Sequence, residues 1–163
     1  MNHKKNIYII MTIVFILDQI VKVIVTQSMK LYQQIIIIPH FFSIYYVKNT
    51  GAAFSILENN IPILIMIGAV FMVGLNHYIK REEHFTKLSV LSLGLLLGGI
   101  FGNLLDRAIR KSVIDYLSFI IIRYDFPVFN IADIAITVGI AIFMLDTFLE
   151  KRKEKKNGTL SSN

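Results

Sequence analysis

Few side chains in this sequence are equipped for chemistry, and most of those are carboxylates set in apolar stretches. Asp18 and Lys22 stand four residues apart inside an apolar run, so on a helix they share one face. An ionisable residue at membrane depth is costly. The pair is therefore either part of a functional site or a self-neutralising pair that ties its helix to an outer loop. Gly94, Gly98 and Gly102 recur at a spacing of four and lead into Asn103, Asp106 and Arg107. Small residues so spaced let another helix approach closely, and packing accounts for them. The groove they make would open onto Asn103, Asp106 and Arg107, although Asp106 and Arg107 also suit an interfacial ion pair at a helix end. Phe129-Asn130-Ile131-Ala132-Asp133 opens another apolar run. Asn130 as N-cap with Asp133 at the third helical position makes an acidic relative of the capping box. Asp115 lies 18 residues earlier, between Ile114 and Tyr116.

Capping explains the spacing of Asp133, but not a carboxylate at the start of a helix that faces lipid. If Asp115 and Asp133 converge, burial and mutual repulsion split their titration, and one holds a proton while the other is ionised. Such a pair can activate a water and protonate a leaving group, as aspartic peptidases do. The competing class is a proton-coupled transporter or assembly factor, whose charges belong near the midplane of paired spans. Here Asp106, Asp115 and Asp133 fall at one face, which favours surface chemistry. A purely structural membrane protein would leave that convergence without a purpose.

Other chemistries have less to work with. There is no cysteine, which excludes a thiol nucleophile, an iron–sulfur cluster, a Cys-based zinc site and any disulfide. His3, His40, His77 and His84 form no metal-ligand spacing, and no metal or cofactor is expected. No GxSxG, phosphate-binding loop or Rossmann fingerprint occurs. A Ser/Lys dyad stays open on residue types alone.

These residues need elements to hold them. The 163 residues are 55% hydrophobic with mean hydropathy +0.61, too apolar for an ordinary soluble domain and short enough for one domain only. Windows 7–25, 61–79, 88–105 and 131–149 are each 18 or 19 residues long and apolar all round. At about 1.5 Å per residue they just cross a hydrocarbon core of roughly 30 Å. The first window follows Lys4 and Lys5 like a signal peptide, but it continues past Asp18 with no small-residue cleavage site, so a retained span is expected. Segments 1–6, 80–87 and 150–163 carry ten Lys/Arg in 28 residues, against six in 60 for segments 26–60 and 106–130. The net charge of +6 thus sits at the edges of apolar runs, a membrane pattern rather than a nucleic-acid one. The bias places both termini and the loop at 80–87 in the cytoplasm.

The predicted architecture is an all-α integral membrane protein, with one domain over 1–150 and a disordered basic tail over 151–163. In the outer segment 26–60, Ile35 to Ile38 and Phe41 to Val47 have the composition of short strands. Asn49-Thr50-Gly51 is a turn signal, with glycine free to take positive φ. The outer segment 106–130 contains an apolar stretch from Val113 to Ile122, predicted to lie on the membrane as a short strand or amphipathic piece.

Five motifs occur in order: Asp18-Gln19-Ile20-Val21-Lys22, Asn49-Thr50-Gly51-Ala52-Ala53-Phe54, Gly99-Ile100-Phe101-Gly102-Asn103-Leu104-Leu105-Asp106-Arg107, Val113-Ile114-Asp115-Tyr116 and Phe129-Asn130-Ile131-Ala132-Asp133. Together they resemble the bacterial lipoprotein signal peptidases (signal peptidase II), from residue 18 to about 139. The resemblance implies an aspartyl endopeptidase of the cytoplasmic membrane that cuts prolipoproteins before a diacylglyceryl-modified cysteine. It implies Asp115 and Asp133 as the catalytic pair, and Asn49, Gly51, Asn103, Asp106, Arg107 and Asn130 as residues that line or brace the site. Asp18 and Lys22 take a structural role, and segment 26–60 becomes a small extracytoplasmic β-cradle over the substrate. Lys48 stands where the family commonly has Arg, and Tyr116-Leu117-Ser118 replaces Phe followed by an acidic residue. The expected partners are lipid-modified prolipoproteins and membrane lipid, with no nucleic acid, and the expected state is a monomer.

Overall fold

A computed structural model describes residues 3–51 and 58–160. Ala52, Ala53 and Phe54 of the second motif and the last three residues of the tail lie outside these. Helix α1 (His3–Ser28) is followed by strands β1 (Gln34–Ile38) and β2 (Phe42–Asn49). Helices α2 (Ile61–Arg81) and α3 (Lys87–Arg110) come next, then strands β3 (Val113–Ile121) and β4 (Tyr124–Asp125), and finally helix α4 (Ile131–Leu160). All four helices are long and apolar enough to cross a membrane. The predicted mostly helical fold with a small sheet is what the chain forms.

Helix α3 is the centre, packed against the other three and largely buried. The others turn most of their apolar residues outward: Ile13 is 52% exposed, Phe71 60% and Met144 67%. Helices that are apolar on both buried and exposed faces belong in lipid. The spacing of the α3 glycines has the predicted use. A Cβ on Gly94 would lie 2.6 Å from Ile10 Cβ, and one on Gly98 would lie 2.7 Å from Val14 Cβ. The stripe is filled by α1 along its length, so no groove runs down it.

The adjoining face of α3 approaches α4 at Gly99, where an added Cβ would meet the Ala132 carbonyl oxygen at 2.5 Å. A backbone atom cannot rotate away. Gly99→Ala is expected to lower stability by about 1–3 kcal/mol. Gly74 in α2 has nothing within 4 Å of its Cβ position, and Gly74→Ala should gain about 0.5–1 kcal/mol from helix propensity. Thermal unfolding of the two variants in detergent checks this, and equal shifts would contradict the packing described.

The α2–α3 end is closed by a buried polar knot. Thr86 caps α3 with a reciprocal Ser89 bond, and Asp146 of α4 accepts from Thr86 Oγ1 at 2.8 Å and Ser89 Oγ at 2.5 Å. Beyond it α4 runs on to Leu160, so residues 151–160 are helical rather than the disordered tail expected. The run from Glu150 to Lys156 consists of strong helix formers, which extend a helix already nucleated by packing.

At the other end the four strands form one antiparallel sheet in the order β1-β2-β3-β4. Asp106 and Arg107, assigned to the loop by sequence, belong to the last turns of α3. Residues Val113 to Tyr116 of β3 are buried where the sheet meets α1 and α3, not laid on a surface. Register places Val47 opposite Asp115 and Asn49 opposite Val113, which sets Asn49 beside Asp115.

Candidate active site

Asp115 projects from β3 and is 1% exposed. Its Oδ2 accepts from Asn49 Nδ2 at 2.9 Å and its Oδ1 from Asn130 Nδ2 at 2.6 Å. Asp133 stands in the first turn of α4, where its Oδ2 accepts from the Asn130 backbone N–H at 3.2 Å. Asn130 Oδ1 accepts in return from the Asp133 N–H at 2.9 Å. The capping box expected from spacing is therefore present. Capping and chemistry are not alternatives here: the Asn130 side chain that caps the helix also donates to Asp115. Asp133 Oδ1 accepts from Asn103 Nδ2 at 2.7 Å, and Asn103 Oδ1 accepts from Asn130 Nδ2 at 3.2 Å.

Both carboxylates line one cavity of about 970 Å³, bounded by Asn49, Asn103 and Arg107 on its polar side and by Phe129, Ile134 and Val138 on its apolar side. Ile134 and Val138 are each 42% exposed on α4, so the cavity opens toward the lipid-facing flank of that helix. Burial, and next the neighbouring Asp133 charge, push the Asp115 carboxyl up to about 7. The Tyr116 hydroxyl, which accepts from the Ile131 N–H at 3.3 Å, is raised mainly by burial.

The Asn49 side chain is fixed from both ends, because its Oδ1 accepts from the Gly51 N–H at 2.9 Å. No described glycine has positive φ, so Gly51 does not serve the turn by that conformation. The Asn49 side chain shapes the turn instead, and the Gly51 carbonyl accepts from Arg107 Nη2 at 3.0 Å. Arg107 thus holds the end of β2 against α3. Its Nε is buried with no hydrogen-bond partner among the described residues.

Beneath the site lies a buried ionic cluster. Lys22 Nζ donates to Asp18 Oδ2 at 2.8 Å, Asp106 Oδ2 at 2.9 Å and Asn103 Oδ1 at 3.0 Å. Asp18 Oδ1 accepts from the Ala132 N–H at 3.0 Å, and Asp106 Oδ2 from the Ile114 N–H at 3.3 Å. Asp18 and Lys22 therefore tie α1 to α3 and to the start of α4, not to an outer loop as expected. Gly102 belongs here too, since a Cβ on it would lie 2.6 Å from Asp18 Oδ2.

Two members of the cluster had no role in the sequence reading. Arg110 pairs with Asp106 and donates to Gln19 Oε1 at 3.2 Å. Gln19 Nε2 donates to Asp18 Oδ2 at 3.1 Å and Asp106 Oδ1 at 3.3 Å. The four-residue step from Asp106 to Arg110 was the available signal. Among the described residues no group of acidic or histidine side chains is arranged to hold a metal.

Comparison with known proteins gives a consistent result. The profile of the "Signal peptidase (SPase) II" family matches residues 10–149. A lipoprotein signal peptidase of Bacillus subtilis (strain 168) is 38% identical over 149 residues, covering 91% of this chain and 97% of the relative. One from Symbiobacterium thermophilum is 41% identical over 138 residues, covering 85% and 91%. A solved bacterial membrane enzyme superposes with TM-score 0.82 at 30% identity, over 88% of this chain and 87% of the other. A second does so with TM-score 0.77 at 31% identity, over 85% and 90%.

Proposed function

The chain belongs to the signal peptidase II family, a multi-pass membrane peptidase that removes signal peptides from prolipoproteins, and on that premise we propose that it works as an aspartyl endopeptidase through Asp115 and Asp133. The observation that carries this reading is the asparagine bridge: Asn130 donates to Asp115 from its side chain and to Asp133 from its backbone. Two carboxylates so held at one cavity wall are the minimum equipment for hydrolysing an amide with water. The distribution of Lys and Arg orients the chain with both termini in the cytoplasm and the carboxylates at the outer face.

The substrate is a prolipoprotein whose cysteine carries diacylglycerol, cut on the N-terminal side of that residue. An apolar signal helix ending at a lipid-bearing residue must reach the site from the bilayer. The apolar wall of the cavity, Phe129, Ile134 and Val138, suits that entry. Asp115, pushed up to about 7, keeps its proton near neutrality, and Asp133 acts as the base. Asp133 takes a proton from water as the water oxygen attacks the scissile carbonyl carbon. The Asp115 hydroxyl hydrogen-bonds the carbonyl oxygen and stabilises its developing charge. The C–N bond then breaks, and the amine leaves with a proton supplied by the pair. Asn49, Asn103 and Asn130 hold the carboxylates in place, and Asp106 and Arg107 brace β3 and β2 against α3.

The test is cleavage by the purified protein in detergent, with diacylglyceryl-modified and unmodified precursors side by side. Cleavage before the lipidated cysteine of the modified precursor alone is expected, and a folded protein that leaves both precursors intact would overturn the reading. The pH dependence adds a second measurement. Turnover needs the Asp115 proton, so it should decline as pH rises, with a midpoint near 7. The sign for stability is the same. A carboxyl raised in the folded state stabilises most below about pH 4 and loses that contribution as pH rises through its folded value.

A further inference from the structure

Lys22 takes no step in that reaction, yet its ammonium is fully buried and all three of its protons are engaged. Asp18 and Asp106 would neutralise it by themselves. The third bond, to Asn103 Oδ1, is one that a neutralising pair does not need. That oxygen also accepts from Asn130 Nδ2, so the Asn103 amide has a single orientation open to it, with Nδ2 on Asp133 Oδ1. A flipped amide would set its NH₂ against the ammonium and its oxygen against the Asp133 carboxylate, two repulsive contacts in a buried site.

We infer that Lys22 is a positioning residue for the two carboxylates: by occupying Asn103 Oδ1 it fixes the amide donor that faces Asp133 and anchors the Asn130 bridge that reaches Asp115. This rests on the peptidase reading and adds a part of α1 to it. Burial is justified by the geometry, since an exposed lysine would exchange its three acceptors for water and leave Asn103 Oδ1 to the longer Asn130 bond alone.

The same ammonium acts on the pair by its charge. The charged and titratable groups of this cluster and of the cavity above it are Asp18 on α1, Lys48 on β2, Glu58 just before α2, Asp106, Arg107 and Arg110 on α3, Asp115 and Tyr116 on β3, and Asp133 on α4. Lys22 lowers the Asp115 carboxyl against the burial that raises it. Removing the ammonium takes away that help and leaves Asp18 and Asp106 without their shared cation. Both changes keep the Asp115 proton on to higher pH.

The experiment compares wild type with Lys22→Met and with the charge-balanced double variant Asp18→Asn/Lys22→Met. Rates of cleavage of a diacylglyceryl-modified prolipoprotein are normalised to the folded fraction. The double variant is included because a lone Lys22→Met leaves unpaired buried carboxylates and is open to unfolding. The expected result is a fall in kcat of about ten-fold or more with KM within about two-fold. The alkaline limb of the pH–rate profile moves up by about one pH unit in Lys22→Met. A wild-type kcat and pH profile in either folded variant would overturn the inference. So would a loss of activity accounted for wholly by unfolded protein, since a merely structural lysine does that without moving the pH limb. If wild type itself fails to cleave, the peptidase reading falls and takes this inference with it, whereas wild-type cleavage beside unaffected variants defeats the inference alone.

Discussion

Asparagine in place of Asp115 or of Asp133 is expected to cut turnover of a lipid-modified precursor by about three orders of magnitude or more while leaving the protein folded. The size of the effect follows from the division of labour. In the proposed mechanism one carboxylate removes a proton from water and the other carries one, and neither task passes to an amide. The fold should survive for local reasons. Asn is isosteric with Asp, and at position 115 it removes the repulsion from Asp133 that arises when this carboxyl ionises. Against that, Asp115 accepts from Asn49 and Asn130 on its two oxygens, and an amide can accept on only one. The gain and the loss oppose each other, so the unfolding temperature should stay within about 5 °C of wild type. The check is a paired measurement of cleavage rate and thermal unfolding. Substantial turnover by folded Asp115→Asn would remove that residue from the reaction.

The second large effect is on stability. Asp106 is fully buried and meets Lys22, Arg110, Gln19 and the Ile114 N–H. Asp106→Ala leaves Arg110 without its carboxylate, Lys22 with one anion instead of two, and a backbone donor at the start of β3 unpaired. Breaking a buried ion pair from one side typically costs about 3–5 kcal/mol, a large share of a domain's net stability. Asp106→Asn keeps an acceptor for Ile114 and should lose less. Denaturation of both variants in detergent orders them. An Asp106→Ala protein as stable as wild type would mean that the cluster contributes nothing net to the fold.

These expectations draw on different amounts of sequence information. Asp115, Asp133 and the asparagines that contact them stood out as candidates because ordered motifs carry them and because carboxylates in apolar runs are conspicuous. The turn at Asn49 was legible too, although its mechanism was not: the Asn49 side chain, rather than positive φ at Gly51, shapes it. Asp146, buried at the opposite end against Thr86 and Ser89, offered no such signal, since a lone Asp late in an apolar helix reads like any helix-end charge.

Hydropathy is a local quantity, summed over about 18 residues, so the sequence alone determined the four apolar helices, though not where α3 and α4 end. Helix capping is equally local, and the reciprocal bonds of Asn130 and Asp133 followed from a spacing of three. What only the tertiary structure decided is which polar group answers which across long separations. Lys22 meets Asn103 from 81 positions away and Asp18 meets Ala132 from 114. Those partners are chosen when α1, α3 and α4 close on one another and each buried donor must find an acceptor. No pattern along the chain records that choice, because it depends on the approach the glycines of α3 permit and on the register that pairs β3 with β2 against the helices.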